Sequence, residues 1–160
     1  MKDKLPMYLK DVVFGFDLGE TFFHNDSQGN KILFPKALEV VARCVRSCKN
    51  VYVISKVNEE QRIRALKTLD KYDVYNITGL PRNHVFFCGA RYQKGIIAKK
   101  IKINCFVDDR PEVMAHMDKS VYRILYCPNP QDVVRFKVEY LPIVYGWAEI
   151  ERILFEGNVE

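Results

Sequence analysis

The sequence predicts an α/β fold, a parallel sheet of about five strands with helices on both faces. Two observations predict it. Five short apolar runs are continuous rather than alternating, as expected of strands covered on both sides. Between them lie segments with apolar residues at helical spacing, and such strand–helix alternation implies parallel pairing through crossover helices.

Along the chain, VVFGF (12–16) is the first strand. FFHNDSQGNKILF follows, and its turn cluster NDSQGN (25–30) predicts a hairpin. KALEVVARCVRSCK (36–49) predicts a helix and VYVIS (51–55) the second strand. NEEQRIRALKTLDKY (58–72) is the next helix, with Asn58 placed to cap it. NITGLPRN (76–83) reads as a loop before the third strand, HVFFC (84–88). Helix ARYQKGIIAKKI (90–101), strand INCFV (103–107), helix RPEVMAHMD (110–118) and strand YRILY (122–126) complete the alternation. CPNPQD (127–132) is then an irregular connection, because Pro128 and Pro130 oppose regular continuation. The stretch YLPIVY and a helix, GWAEIERILF, close the chain, with Trp147 packing that helix onto the sheet. Phe86 and Phe87 read as core, and His84 and His116 as structural. With no internal repeat or linker, residues 1–160 read as one domain, a length that suits a single core.

Composition is that of a soluble globular protein: 48% hydrophobic, 28% charged, mean hydropathy −0.18. No apolar run approaches the roughly 20 residues that span a bilayer, so no membrane role is expected. The segment MKDKLPMYLKDVV lacks the apolar stretch of a signal peptide. Five dispersed cysteines, an odd number with no CxxC pair, argue against a disulfide framework or zinc site and for a reduced, cytoplasmic setting. A net charge of +5 steers anionic ligands weakly but falls short of a nucleic-acid footprint. The densest basic cluster, Lys99, Lys100 and Lys102, reads as a solvated helix face.

In an open parallel sheet, ligands bind beyond the carboxyl ends of the strands. There the sequence places Asp17 and Thr21 after the first strand, Ser55 and Lys56 after the second, Lys94 after the third, and Asp108 with Asp109 after the fourth. Carboxylates at two strand ends are hard ligands that suit Mg²⁺. A carboxylate can also attack phosphorus, while a lysine and a hydroxyl hold the phosphoryl oxygens. Each residue has a plainer reading as well. Asp17 and Gly19 suit an ordinary turn, and Asp109-Arg110-Pro111-Glu112 suits a helix start with Asp109 as its cap. No GxGxxG follows the first strand, and no GxxxxGK[ST] occurs, which removes the dinucleotide and P-loop readings. A signalling receiver domain would place its acid pair after the first strand, whereas here the pair follows the fourth.

In order and placement, Asp17-x-Gly19-x-Thr21, Ser55, Lys94 and Asp108-Asp109 resemble the four motifs of the haloacid dehalogenase-like (HAD) superfamily, over residues 12 to 126. The resemblance implies a three-layer Rossmann-like core with strand order 5-4-1-2-3 and a Mg²⁺-dependent phosphatase. Asp17 would be nucleophile and metal ligand, with Thr21, Ser55 and Lys94 completing the catalytic set. Gly19, through its carbonyl, and Asp108 and Asp109 would complete the metal site. The family's usual general acid stands where this chain has Gly19, although DLGN-type sugar-phosphate phosphatases also carry glycine there. General acid–base catalysis is worth about 10²–10⁴-fold, so its loss matters least for leaving groups that depart easily. Glu20 and His24 are the nearby candidates to replace it. A non-catalytic phosphate-binding or scaffold protein is the alternative reading. Only about thirty residues separate Thr21 from the second strand, and a hairpin and a helix use them, so no cap domain is expected. Capless members act on large substrates or borrow a lid by oligomerisation. The expected partners are therefore a phosphorylated small molecule or phosphoprotein, with a homo-oligomer as one route to a lid.

Overall fold

The structure, a computed structural model, describes residues 4–156; the expectation of one domain over 1–160 extends beyond these at both ends. Its centre is a six-stranded parallel sheet. The strands are β1 (Val13–Phe16), β4 (Asn50–Lys56), β5 (Val85–Cys88), β6 (Cys105–Asp108), β7 (Tyr122–Tyr126) and β8 (Ile143–Val144), in the order β5-β4-β1-β6-β7-β8. This is the anticipated order of five strands, extended by β8 from the YLPIVY stretch. A separate antiparallel hairpin, β2 (Phe23–Asn25) and β3 (Lys31–Leu33), follows β1, with His24 opposite Ile32.

Strand alternation explains the continuous apolar runs. Phe14 and Phe16 of β1, Cys105 and Val107 of β6, and Ile124 and Tyr126 of β7 enter one core cluster. Their neighbours Val13, Phe106 and Leu125 enter the other, on the opposite face. The first cluster is covered by α1 (Ala37–Ser47), α2 (Glu59–Lys71), α3 (Val74–Thr78) and α7 (Trp147–Phe155). The second is covered by α4 (Tyr92–Lys100), α5 (Pro111–His116) and α6 (Pro130–Arg135). Gly95 lets α4 lie close to the end of α5, since a Cβ there would stand 3.1 Å from the His116 carbonyl.

Trp147 is fully buried, with edge-on contacts to Phe16 and Phe22. Its indole N–H donates to the Thr21 carbonyl at 2.8 Å, tying the closing helix to the turn after β1. His84 accepts the structural role assigned to it, its Nδ1 2.9 Å from the Val51 carbonyl and its ring stacked on Tyr52. His116 Nδ1 lies 2.8 Å from the Glu112 carbonyl. All five cysteines are free thiols.

Three expectations need correction. Residues 76–83 are not all loop: α3 runs to Thr78 and stops at Gly79, whose φ of 80° provides the left-handed cap. CPNPQD is not wholly irregular, because Pro130 occupies the first turn of α6, where its missing N–H is harmless, and Asn129 caps that helix. Phe86 and Phe87 are half-buried rather than core, because β5 is an edge strand with one flank unpaired.

Candidate active site

The register of the sheet assembles the site. Phe16 pairs with Val107, so the residues that follow, Asp17 and Asp108, emerge side by side at the carboxyl edge. Asp17 N–H donates to the Val107 carbonyl at 3.0 Å, extending the ladder one residue past β1. The chain then turns sharply, with the Leu18 carbonyl accepting from the N–H groups of Thr21, Phe22 and Phe23. Lys94 reaches the same point from the first turn of α4, whose start is secured by the Gln93 side chain accepting from the N–H groups of Gly89 and Ala90.

Lys94 joins the two carboxylates. Its Nζ lies 3.0 Å from Asp17 Oδ1 and 2.7 Å from Asp108 Oδ2, and all three side chains are buried. Asp108 Oδ1 accepts from the Arg110 N–H at 2.9 Å, which orients the carboxylate. Asp17, Asp108 and Asp109 bring carboxylate oxygens within 4.8 Å of one another. The helix-start reading of Asp109 is overturned, because Arg110 occupies the N-cap position of α5 and no side chain caps it. Asp109 instead belongs to the acid cluster.

Electrostatics mark the cluster as short of positive charge. Burial, reinforced by Asp108 and Asp17, pushes the Asp109 carboxyl up to about 9. Burial also raises Asp17 to about 6, even though Lys94 pulls it down. Burial alone would lower Lys94, but Asp108 and Asp17 outweigh it and hold the ammonium above its ordinary range. Lys94 thus serves Asp17 and Asp108, and the nearest cation to Asp109 is the Arg110 guanidinium, at 3.9 Å. Hard oxygen donors in this arrangement, with surplus negative charge, suit a small divalent cation.

The acid cluster sits in a cavity of about 790 Å³ walled by the β2–β3 hairpin, the end of β4, α2 and the start of α5. Asp17, Gly19, Ser55, Lys94 and Asp109 all line it, as expected, and Asp108 joins them through Lys94. Thr21 does not: its hydroxyl is fully buried beneath the turn, outside the lining. Of the two nearby groups, Glu20 lines the cavity, while His24 packs at a tilt against Phe34 outside it. Asn58 caps α2 through a reciprocal box with Gln61, and Ser55 and Lys56 are the polar side chains that the end of β4 brings to the cavity.

Glycine at position 19 is not demanded by the fold. A Cβ there would meet no atom within 4 Å, and the left-handed residue of this turn is Glu20, at φ 58°. The site is therefore open where the resemblance places an acid.

Of the basic wall of the cavity, sequence reasoning placed only Lys56 at the sheet edge and missed Lys31, Arg64, Lys67 and Lys71. These residues are scattered over a hairpin, a strand end and a helix. The one linear signal was the spacing of Arg64, Lys67 and Lys71, which shares a helix face.

The fold is an α/β core of the HAD-like Rossmann kind, and at the carboxyl edge of its sheet stands a cluster of three carboxylates that could hold a divalent cation. Among solved structures, the cobalt-bound deoxy-D-mannose-octulosonate 8-phosphate phosphatase (YrbI) of Haemophilus influenzae shares this fold. Its TM-score is 0.60 at 13% identity, over 92% of this chain and 90% of that one. A probable YrbI-family phosphatase of Pseudomonas syringae gives 0.57 at 11% identity, over 94% and 89% of the two chains. No protein-family model matches the sequence, and no curated protein does. No helix among the described residues is long and apolar enough to cross a membrane.

Proposed function

We propose that the protein is a cytoplasmic, capless, Mg²⁺-dependent phosphatase that hydrolyses phosphoric monoesters through a phosphoryl group carried on Asp17. The observation that carries this reading is Lys94 bridging Asp17 and Asp108, with Asp109 completing the acid cluster at the mouth of the sheet. The fold neighbours named as phosphatases support the reaction class.

Asp17, Asp108, Asp109 and the Gly19 carbonyl would hold Mg²⁺, which when bound offsets the charge of the phosphoryl oxygens. Lys94 pairs with Asp17 at Oδ1, and the Asp17 carboxylate supplies the attacking oxygen. That oxygen bonds to phosphorus as the ester P–O bond breaks, and Ser55 and Lys94 steady the transferring oxygens. With glycine at 19, the leaving oxygen departs as an anion. Water then attacks the aspartyl-phosphate, releasing phosphate and restoring Asp17. Good leaving groups are favoured, and the open cavity admits a phosphorylated small molecule or phosphoprotein.

The missing acid also favours a second reading, a phosphate-binding scaffold that retains the pocket without turnover. Hydrolysis of p-nitrophenyl phosphate with and without Mg²⁺, in wild type and Asp17→Asn, separates the two. The phosphatase reading expects turnover that needs both the cation and Asp17, with a loss of about 10⁴-fold or more in the variant. Turnover that survives in Asp17→Asn contradicts it, and Mg²⁺ binding without turnover in wild type favours the scaffold.

A further inference from the structure

Eight of the twenty-three residues lining the cavity are basic and three are acidic, although Lys99, Lys100 and Lys102 lie elsewhere. Some of this charge is already matched. Lys94 serves the acid cluster, Arg64 pairs with Glu60 at 3.0 Å, Arg91 with Glu112 at 3.2 Å, and Arg110 lies 3.9 Å from Asp109. Lys31, Lys56, Lys67 and Lys71 have no acidic partner among the described residues.

Their placement is directional. Lys56 stands at the end of β4, next to Ser55, and lines the cavity. Lys67 and Lys71 lie farther along α2, on the face that also presents Gln61, Arg64 and Thr68 to the cavity. From Gln61 to Lys71 that face extends roughly 15 Å, well beyond the reach of one phosphate. Lys31 faces it from the hairpin. The Tyr72 hydroxyl donates to the Lys31 carbonyl at 2.6 Å, fastening the hairpin to the end of α2. Aromatic rings seat two of the ammonium groups, with Lys31 Nζ 5.3 Å from the Phe23 ring centre and Lys71 Nζ 5.4 Å from that of Tyr72.

We propose that the cleft between the hairpin and α2 is a second anion-binding subsite, so that the substrate is a phosphomonoester with further phosphate groups along its body. Lys31, Lys67 and Lys71 are its specificity-determining residues. A phosphomonoester carries roughly −1.5 to −2 charge at pH 7, so these three lysines balance between one and two further phosphates. The inference rests on the phosphatase reading for the fate of the scissile group, but not for the binding of the others.

The test is calorimetric titration of Asp17→Asn in the presence of Mg²⁺, alone and combined with Lys67→Gln and Lys71→Gln. The probes are p-nitrophenyl phosphate, fructose 1,6-bisphosphate and a 5′-phosphorylated oligothymidylate. The two lysine substitutions are expected to weaken a polyphosphorylated probe about tenfold more than p-nitrophenyl phosphate, the scale of one lost charge-assisted hydrogen bond. Preferential loss for the bisphosphate alone identifies a compact substrate, and preferential loss for the oligonucleotide an extended one. Equal losses for all three probes, or none, overturn the subsite. If wild type fails to hydrolyse p-nitrophenyl phosphate while the lysine-dependent preference persists, the phosphatase reading fails and the subsite stands.

Discussion

Asp17, Lys94 and Asp108, at the floor of the cavity, are buried and committed to one another, whereas the lysines of its walls are solvated or half-buried and have no acidic partner. The floor comes from strand ends and the first turn of a helix, elements whose position the parallel sheet determines. The walls come from a hairpin and a helix face, which can vary without disturbing the sheet. Under the proposed function, chemistry belongs to the strand ends and selection to the hairpin and helix face, a division expected when sites are built on a scaffold.

The largest test of this division is Gly19→Asp. The position is open and free of backbone strain, so the variant should fold as wild type does. It adds a proton donor at the floor, and turnover of alkyl phosphates, which need that proton, should rise by about 10²–10⁴-fold. Comparing steady-state rates on an alkyl and an aryl phosphate checks this. An unchanged alkyl rate would show that the floor is not merely short of an acid.

The support beneath the floor gives the next effect. Trp147→Ala removes a fully buried indole and its hydrogen bond to the Thr21 carbonyl, and should lower stability by about 3–5 kcal/mol in chemical denaturation. A loss below about 1 kcal/mol, the size of an ordinary surface change, would mean that α7 does not brace the turn.

A smaller effect follows from charge at the floor. A carboxyl whose pKa is raised by folding binds its proton more tightly in the folded state. The penalty for ionising it is absent below its unfolded pKa of about 4. The penalty grows as pH rises toward about 6 for Asp17 and about 9 for Asp109. Lys94, held above its ordinary range, stays charged throughout that window and adds no slope. The metal-free protein should therefore lose thermal stability between pH 5 and 9, and Mg²⁺ should restore it. Asp109→Asn should flatten the slope. A metal-free melting temperature that rises over this range would contradict the shortage of positive charge at the floor. Wall substitutions, on solvated side chains, should leave this slope unaltered.

The contrast between floor and walls also governs what the sequence made legible. Strand order and the convergence of Asp17, Ser55, Lys94 and Asp108 were readable because each follows or borders a buried apolar run, and parallel topology brings such ends together. Asp109 was ambiguous in one dimension, since an acid before Arg-Pro-Glu suits a helix cap equally well; only the geometry assigns Arg110 to the cap. Thr21 was misplaced because sequence proximity to Asp17 does not reveal that the turn directs its hydroxyl inward. α6 was hidden because proline both stops and starts helices, and Asn129 decides between the two. The walls were least legible. Lys31 and Lys71 are forty residues apart in sequence and line the same cavity because the hairpin is fastened to the end of α2 through Tyr72.

The most direct test of the central claim is the dependence of kcat/KM on leaving-group pKa, measured with Mg²⁺ over a series of aryl and alkyl phosphates. The account predicts a steep decline as the leaving group worsens, flattened in Gly19→Asp. Wild-type rates independent of leaving-group pKa would contradict it, because another group would then be supplying the proton that Gly19 lacks.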